Sequence, residues 1–137
     1  MTSLIFLDSS FLIAADISED GHHLRSTEIL NDIVQGKYGT VFVSDYVFDE
    51  AVTYILSKTK NLDRSIRLGE AINSSWELLK LSEEEFNQAW EVFKKQNKTT
   101  LSFTDCTILV LMRKNKIRNI ATFDKEFGKL NEINVVV

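Results

Sequence analysis

The chain has 137 residues and a mass of 15.7 kDa, with 44% hydrophobic and 26% charged residues, the balance of one folded domain rather than of a disordered segment. No apolar run is long enough to cross a bilayer and no charged-then-apolar leader opens the sequence, so an intracellular, cytoplasmic chain is expected. Its single cysteine, Cys106, excludes an internal disulfide, and a formal charge of −4 with a pI near 5.2 speaks against a broadly basic nucleic-acid surface unless local cations reverse the sign.

Leu4-Ile5-Phe6-Leu7 is an uninterrupted apolar run, which predicts a short strand covered on both faces, as at the centre of a parallel sheet. Asp8 follows at once, then Ser9 and Ser10, either of which can cap a helix carrying Phe11, Leu12, Ile13 and Ala14. Asp8 is thereby placed where a strand ends and the chain turns over the sheet, the rim at which open α/β sheets bind ligands. The plainer alternative is that it helps cap the helix. After the polar turn Ser18-Glu19-Asp20-Gly21, a helix is expected from His22 to Val34, with Leu24, Leu30, Ile33 and Val34 on its buried side and Gly36 as its stop. Thr40-Val41-Phe42-Val43 predicts a second buried strand.

Ser44 or Asp45 then caps a helix to about Ser57, in which Val47, Phe48, Ala51, Val52, Ile55 and Leu56 recur at helical spacing. Asp63–Ile72 reads as a further helix and Trp76–Leu81 as a strand. Ser82-Glu83-Glu84-Glu85 is a capping box, and the stripe behind it, Phe86, Ala89, Trp90 and Phe93, is assigned to the core in preference to a stacking platform for bases. Beyond the polar stretch Asn97–Thr100, Thr104-Asp105 opens a strongly apolar helix to about Lys114, in which Cys106 reads as a small buried hydrophobe. Asn119–Phe123 is a short strand ending at Asp124, and Ile133–Val137 is a last one. Strand and helix alternate without repeat or linker, which predicts a single three-layer α/β/α domain over residues 1–137 around a parallel sheet.

Four carboxylates stand at element boundaries. Asp8 and Asp124 end strands and Glu50 lies early in the helix after the second strand, so topology brings these three to one rim. Asp105 opens the helix before the fourth strand, and simple topology places it away from the others unless the connection before it climbs over the rim. Each acid alone has an ordinary role in a helix dipole, a turn or plain solvation. A convergent set differs, because neighbouring carboxylates repel unless cations neutralise them, and oxygen ligands suit Mg²⁺ or Mn²⁺. His22 and His23 lack the spacing of a zinc pair and stand outside this set.

The blocks Phe6–Ala14, Val43–Glu50, Leu101–Cys106 and Ala121–Phe127, in that order over nearly the full length, resemble the PIN domain, in particular the VapC-type toxins of prokaryotic toxin–antitoxin pairs. The resemblance implies that Asp8, Glu50, Asp105 and Asp124 share one pocket as catalytic and metal-binding acids. Glu50, rather than the adjacent Asp49, falls on the motif, and Glu126 is the nearby candidate for a further acid that some members carry. It implies a Mg²⁺- or Mn²⁺-dependent endoribonuclease that hydrolyses phosphodiester bonds in RNA. It also implies a homodimer, and inhibition by a cognate antitoxin protein. Phe11, Leu12 and Tyr54 are available for such contacts or for the core.

Lys94, Lys95 and Lys98, and beyond the helix Arg113, Lys114, Lys116 and Arg118, can track an RNA backbone or form solvated charged faces. Ser9, Thr104 and Thr122 beside the acids read first as capping and turn hydroxyls. Two other readings stay open. A haloacid-dehalogenase-like phosphatase or a receiver-type phosphoacceptor would use Asp8 as nucleophile, but the former wants an acid where this chain has Ser10, and Lys125 fits the latter poorly. A PIN-like module that binds RNA or a partner without cutting is the other.

Overall fold

Ile5, Phe6 and Leu7 are consecutive and all fully buried, so the strand they form, β1 (Leu4–Leu7), is covered on both faces. The computed structural model describes residues 3–137. It places β1 at the centre of a five-stranded sheet with β2 (Thr40–Ser44), β3 (Glu77–Leu79), β4 (Asn119–Ala121) and β5 (Asn134–Val136). All pairings are parallel, in the order β3-β2-β1-β4-β5, with Phe6 opposite Phe42 on one side and Ile120 on the other.

The helices are α1 (Ser9–Asp16), α2 (His23–Val34), α3 (Asp45–Thr59), α4 (Leu62–Ser75), α5 (Glu83–Lys94) and α6 (Phe103–Lys114), with a 3₁₀ turn at Lys125–Lys129. Right-handed crossovers put α1 to α4 on one face of the sheet and α5 and α6 on the other, giving the expected three-layer α/β/α architecture. The chain leaves β1 toward β2 but leaves β4 toward β5. A crevice therefore opens between the carboxyl ends of β1 and β4, the switch point at which such sheets bind ligands. Asp8 follows β1 and Thr122-Phe123-Asp124 follows β4, and the Asp8 amide donates to the Ala121 carbonyl at 3.0 Å. Among the described residues no helix is long and apolar enough to cross a membrane.

The central core joins the sheet to α6, whose residues from Asp105 to Met112 are all buried. Such continuous burial explains the strongly apolar sequence of that helix. Gly69 of α4 lets Phe48 of α3 approach to where a Cβ would stand 3.1 Å from its ring. Gly36 follows the end of α2 at φ +86°, the expected stop.

Several local expectations change. The cap of α1 is Asp8 itself, which accepts from the Ser9 amide, and Ser9 and Ser10 are the first helical residues. On α2 the buried residues are Ser26, Ile29 and Ile33, which share one face at helical spacing, whereas Leu24 and Val34 project from other faces and are each 74% exposed. Leu56 of α3 is exposed, and the strand expected over Trp76–Leu81 is reduced to Glu77–Leu79. Phe11 and Leu12 are core residues; Tyr54 is the exposed one of the three residues considered for partner contacts. On α5 only Ala89 of the aromatic stripe is buried, and Phe86, Trp90 and Phe93 are each partly exposed around Phe103.

Candidate active site

Asp8 is almost wholly enclosed, and every donor around it is one that favours an ionised carboxylate. Thr122 Oγ1 donates to its Oδ2 at 2.6 Å, Ser10 Oγ to the same oxygen at 3.2 Å, and the Ser9 amide to its Oδ1 at 2.7 Å. Thr122 in turn accepts from the Asp124 amide at 3.0 Å, and Ser10 from the Phe123 amide at 3.0 Å. The end of β1 and the end of β4 are thus tied together by two hydroxyls that link the Asp8 carboxylate to the backbone amides of Phe123 and Asp124. Burial nevertheless pushes the Asp8 carboxyl up; the three hydrogen bonds oppose the rise and nearby Asp124 adds to it.

Glu50 reaches the cluster from α3 at its solvent side. Its Oε1 accepts from Ser9 Oγ at 2.9 Å. Partial withdrawal from water raises its carboxyl, Ser9 and Thr104 lower it, and Asp8 raises it. Asp105 belongs to a second capping box, since Ser102 Oγ accepts from its amide and its carboxylate accepts from the Ser102 amide, each at 3.1 Å. Burial first, and then the charge of Asp8 with a smaller share from Asp124, pushes its carboxyl up to about 7. Asp124 caps the 3₁₀ turn, its Oδ1 accepting from the Glu126 amide at 3.0 Å.

The structure therefore brings Asp8, Glu50, Asp105 and Asp124 from four elements to one end of the sheet, where the charge of Asp8 raises the carboxyls of Glu50 and Asp105 and that of Asp124 raises those of Asp8 and Asp105. Asp105 corrects the simple topological expectation. α6 leads into β4 and descends antiparallel to the strands, so it begins at their carboxyl rim, beside Asp8. Among the described residues no group of three or more Asp, Glu, His or Cys side chains is arranged to hold a metal ion as it stands. Asp8 and Glu50 are instead engaged with hydroxyls.

The neighbouring candidates fall outside. Glu126 accepts from the Thr100 amide and hydroxyl and pairs with Lys129 at 2.7 Å, and Asp49 accepts from Thr53 at 3.4 Å. Cys106 is fully buried, with its thiol pushed up to about 11 by burial and by Asp105, which keeps it neutral. Among the cations, Lys94 and Lys95 pair with Glu91, Arg113 with Glu132 and Lys114 with Glu85, whereas Lys98, Lys116 and Arg118 form no ion pair among the described residues.

Sequence reasoning passed over Ser10, whose hydroxyl bridges the two strand ends, and His22, whose ring stacks on Phe123 at 4.2 Å and 8°. A hydroxyl two residues after the strand-ending acid was the available signal for the first. Nothing in the sequence signals the stack.

An acid-lined crevice at the switch point of a five-stranded parallel sheet is the frame of a nucleotide- or phosphate-handling α/β domain. The chain belongs to the PIN domain family, whose model matches residues 5–133. It is 28% identical over 111 residues to the VapC ribonuclease of Archaeoglobus fulgidus, covering 80% of this chain and 70% of that one. It is 26% identical over 136 residues to the 23S rRNA-specific endonuclease VapC20 of Mycobacterium tuberculosis, covering 96% and 98%. The crystal structure of Mycobacterium tuberculosis VapC20, described as a Sarcin-Ricin loop cleaving toxin, superposes with a TM-score of 0.82 at 25% identity, over 91% of this chain and 93% of that one. VapBC2 from Rickettsia felis shares the fold at a TM-score of 0.69 and 17% identity.

Proposed function

We propose that the protein is the endoribonuclease toxin of a VapBC-type pair, cutting RNA by metal-assisted hydrolysis at the four-acid cluster and restrained by a cognate antitoxin. The observation that carries this reading is the meeting of Asp8 and Asp105, far apart in sequence, where burial and mutual repulsion disfavour two free negative charges. The named ribonuclease and toxin relatives support the choice of RNA and of an antitoxin partner. A homodimer is proposed with them.

The donor set fits a hard divalent cation. It consists of carboxylates and hydroxyls, with no imidazole or thiolate that would favour zinc, so Mg²⁺ or Mn²⁺ is the proposed ion. Asp8 and Asp105 would hold it, with Glu50 and Asp124 supplying further oxygen ligands or positioning water. When bound, such an ion supplies an acidified water as nucleophile and offsets charge on the phosphate. Thr122 and Ser10 hold the Asp8 carboxylate in one orientation and stabilise its ionised form. The Ser9 hydroxyl does the same for Glu50. A negative pocket becomes an acceptor for phosphate in this way despite the pI near 5.2.

The test is cleavage of single-stranded RNA by the purified protein in Mg²⁺ or Mn²⁺. The parent should cut, EDTA should stop it, and Asp8→Asn or Asp105→Asn should abolish cutting. Variants that cut as well as the parent would remove the acids from the mechanism.

A further inference from the structure

His22 occupies the position before α2 at which a short polar side chain commonly accepts from the free amides of the first turn, yet its side chain makes no such bond. Its ring lies flat on that of Phe123 instead, with centroids 4.2 Å apart and planes 8° from parallel. Phe123 is half-buried against the core and His22 is exposed, so one imidazole face is covered and the other is open to solvent. The His23 ring engages the Ala14 carbonyl at 2.7 Å, whereas the His22 ring makes no hydrogen bond or ion pair among the described residues.

Both rings are fixed from behind, and the fixing runs to the acids. The His22 amide donates to Asp20 Oδ1 at 2.8 Å, and the His22 carbonyl accepts from the Ser26 amide at 2.9 Å. The Phe123 amide donates to Ser10 Oγ, which in turn donates to Asp8. Phe123 also stands between Thr122 and Asp124, so the pair is two hydrogen bonds from one acid of the cluster and one residue from another. Lys125, directly after Asp124, is exposed and forms no ion pair among the described residues, which leaves a cation on the same loop. An open aromatic face held beside a phosphodiester-cutting centre suits an unpaired base, since every base has a face to stack and single strands are gripped on such rings.

We propose that the open face of the His22 ring, backed by Phe123, is a base-stacking site for an unpaired nucleotide of RNA next to the phosphate presented to the acids. The proposal rests on the nuclease reading for the kind of ligand, but its test does not need cleavage. The site takes a base by its face, so it selects a single strand or an unpaired loop over a duplex, whose bases are already stacked.

The test uses Asp105→Asn in EDTA, a chain with one fewer charge set against phosphate and, on the nuclease reading, unable to cut. It should bind a single-stranded oligoribonucleotide saturably in fluorescence anisotropy, and the same sequence annealed as a duplex more weakly. Adding His22→Ala should weaken single-strand binding about tenfold or more, the loss expected of one base–aromatic stack. Adding His22→Phe should keep most of the affinity, because a phenyl ring offers the same face. His22→Gln, which keeps a polar nitrogen but no ring, should lose as much as His22→Ala. On a strand of abasic sites, His22→Ala should make no further difference.

Equal binding of duplex and single strand, no saturable binding of the single strand, or His22→Ala that costs no affinity overturns the proposal. If His22→Phe loses as much as His22→Ala, the imidazole nitrogens hold the RNA and stacking is refuted. If His22→Ala lowers the thermal midpoint but leaves affinity unchanged, the ring only anchors the start of α2, which refutes it too. The nuclease reading fails separately, when Asp105→Asn cuts RNA in Mn²⁺ as the parent does. That result leaves the stacking site in place where binding behaves as described.

Discussion

Thr122 has its hydroxyl wholly inside the protein, giving a proton to Asp8 and taking one from the backbone at Asp124. Removing it by Thr122→Val leaves the fold's volume nearly unchanged but withdraws a donor that favours ionised Asp8. RNA cleavage should fall about 10- to 100-fold, the usual cost of losing a group that orients a ligand. The acidic limb of the kcat/KM profile should also move to higher pH, because the Asp8 carboxyl, already raised, rises further. An unchanged profile would make the hydroxyl a mere turn former. This residue shows what the sequence can and cannot display. Asp8 and Asp124 are legible because each ends a strand, a local property. The hydroxyl bridge is not, since it joins positions 8, 10 and 122, and only the parallel pairing of β1 with β4 brings them together.

At the scale of elements, two capping boxes of the same geometry do different work. The one at Ser82 and Glu85 is written in the sequence and lies apart from the acid cluster. Its Glu85 is held below its usual range by the Ser82 amide first and also by Lys114, 3.0 Å away on α6. Ser82→Ala should cost about 1 kcal/mol in chemical denaturation and leave kcat intact. The box at Ser102 ends in an aspartate and so escapes the Glu/Gln pattern, yet it also fixes Asp105. Ser102→Ala should cost a similar ~1 kcal/mol and lower cleavage as well. Equal kcat for the two variants would contradict this division.

Helix existence was legible throughout from periodicity, but not which helical face is covered. Ser26 is buried and Leu24 exposed on α2, and the rings of α5 stay partly exposed, because burial depends on what the rest of the chain lays against each face. Asp105 was misplaced by topology for a related reason. The direction of α6 depends on whether α5 or residues 95–102 make the climb, which spacing does not encode.

For the whole molecule, the buried acids tie stability to pH. Asp105 titrates near 7 in the fold and near 3.8 unfolded, so between those values the folded chain holds more protons. Its contribution is fully present below the unfolded value and is lost as pH rises through about 7. Asp8 and Glu50, also raised, act in the same direction. Glu85 acts in the opposite one, losing its contribution as pH falls through its lowered value. In EDTA the thermal midpoint should therefore be higher near pH 5 than near pH 8. Asp105→Asn should flatten that slope and raise the midpoint at pH 8. Scanning calorimetry across this range checks both, and a parent more stable at pH 8 than at pH 5 would refute the linkage.

The account depends on acids from four elements acting as one cation site, and calorimetric titration with Mn²⁺ at pH 7.5 addresses that most directly. The parent should bind saturably and release protons on binding, and Asp8→Asn and Asp105→Asn should each abolish or strongly weaken the binding. A parent that takes up no Mn²⁺, or variants that bind it as the parent does, would contradict the account.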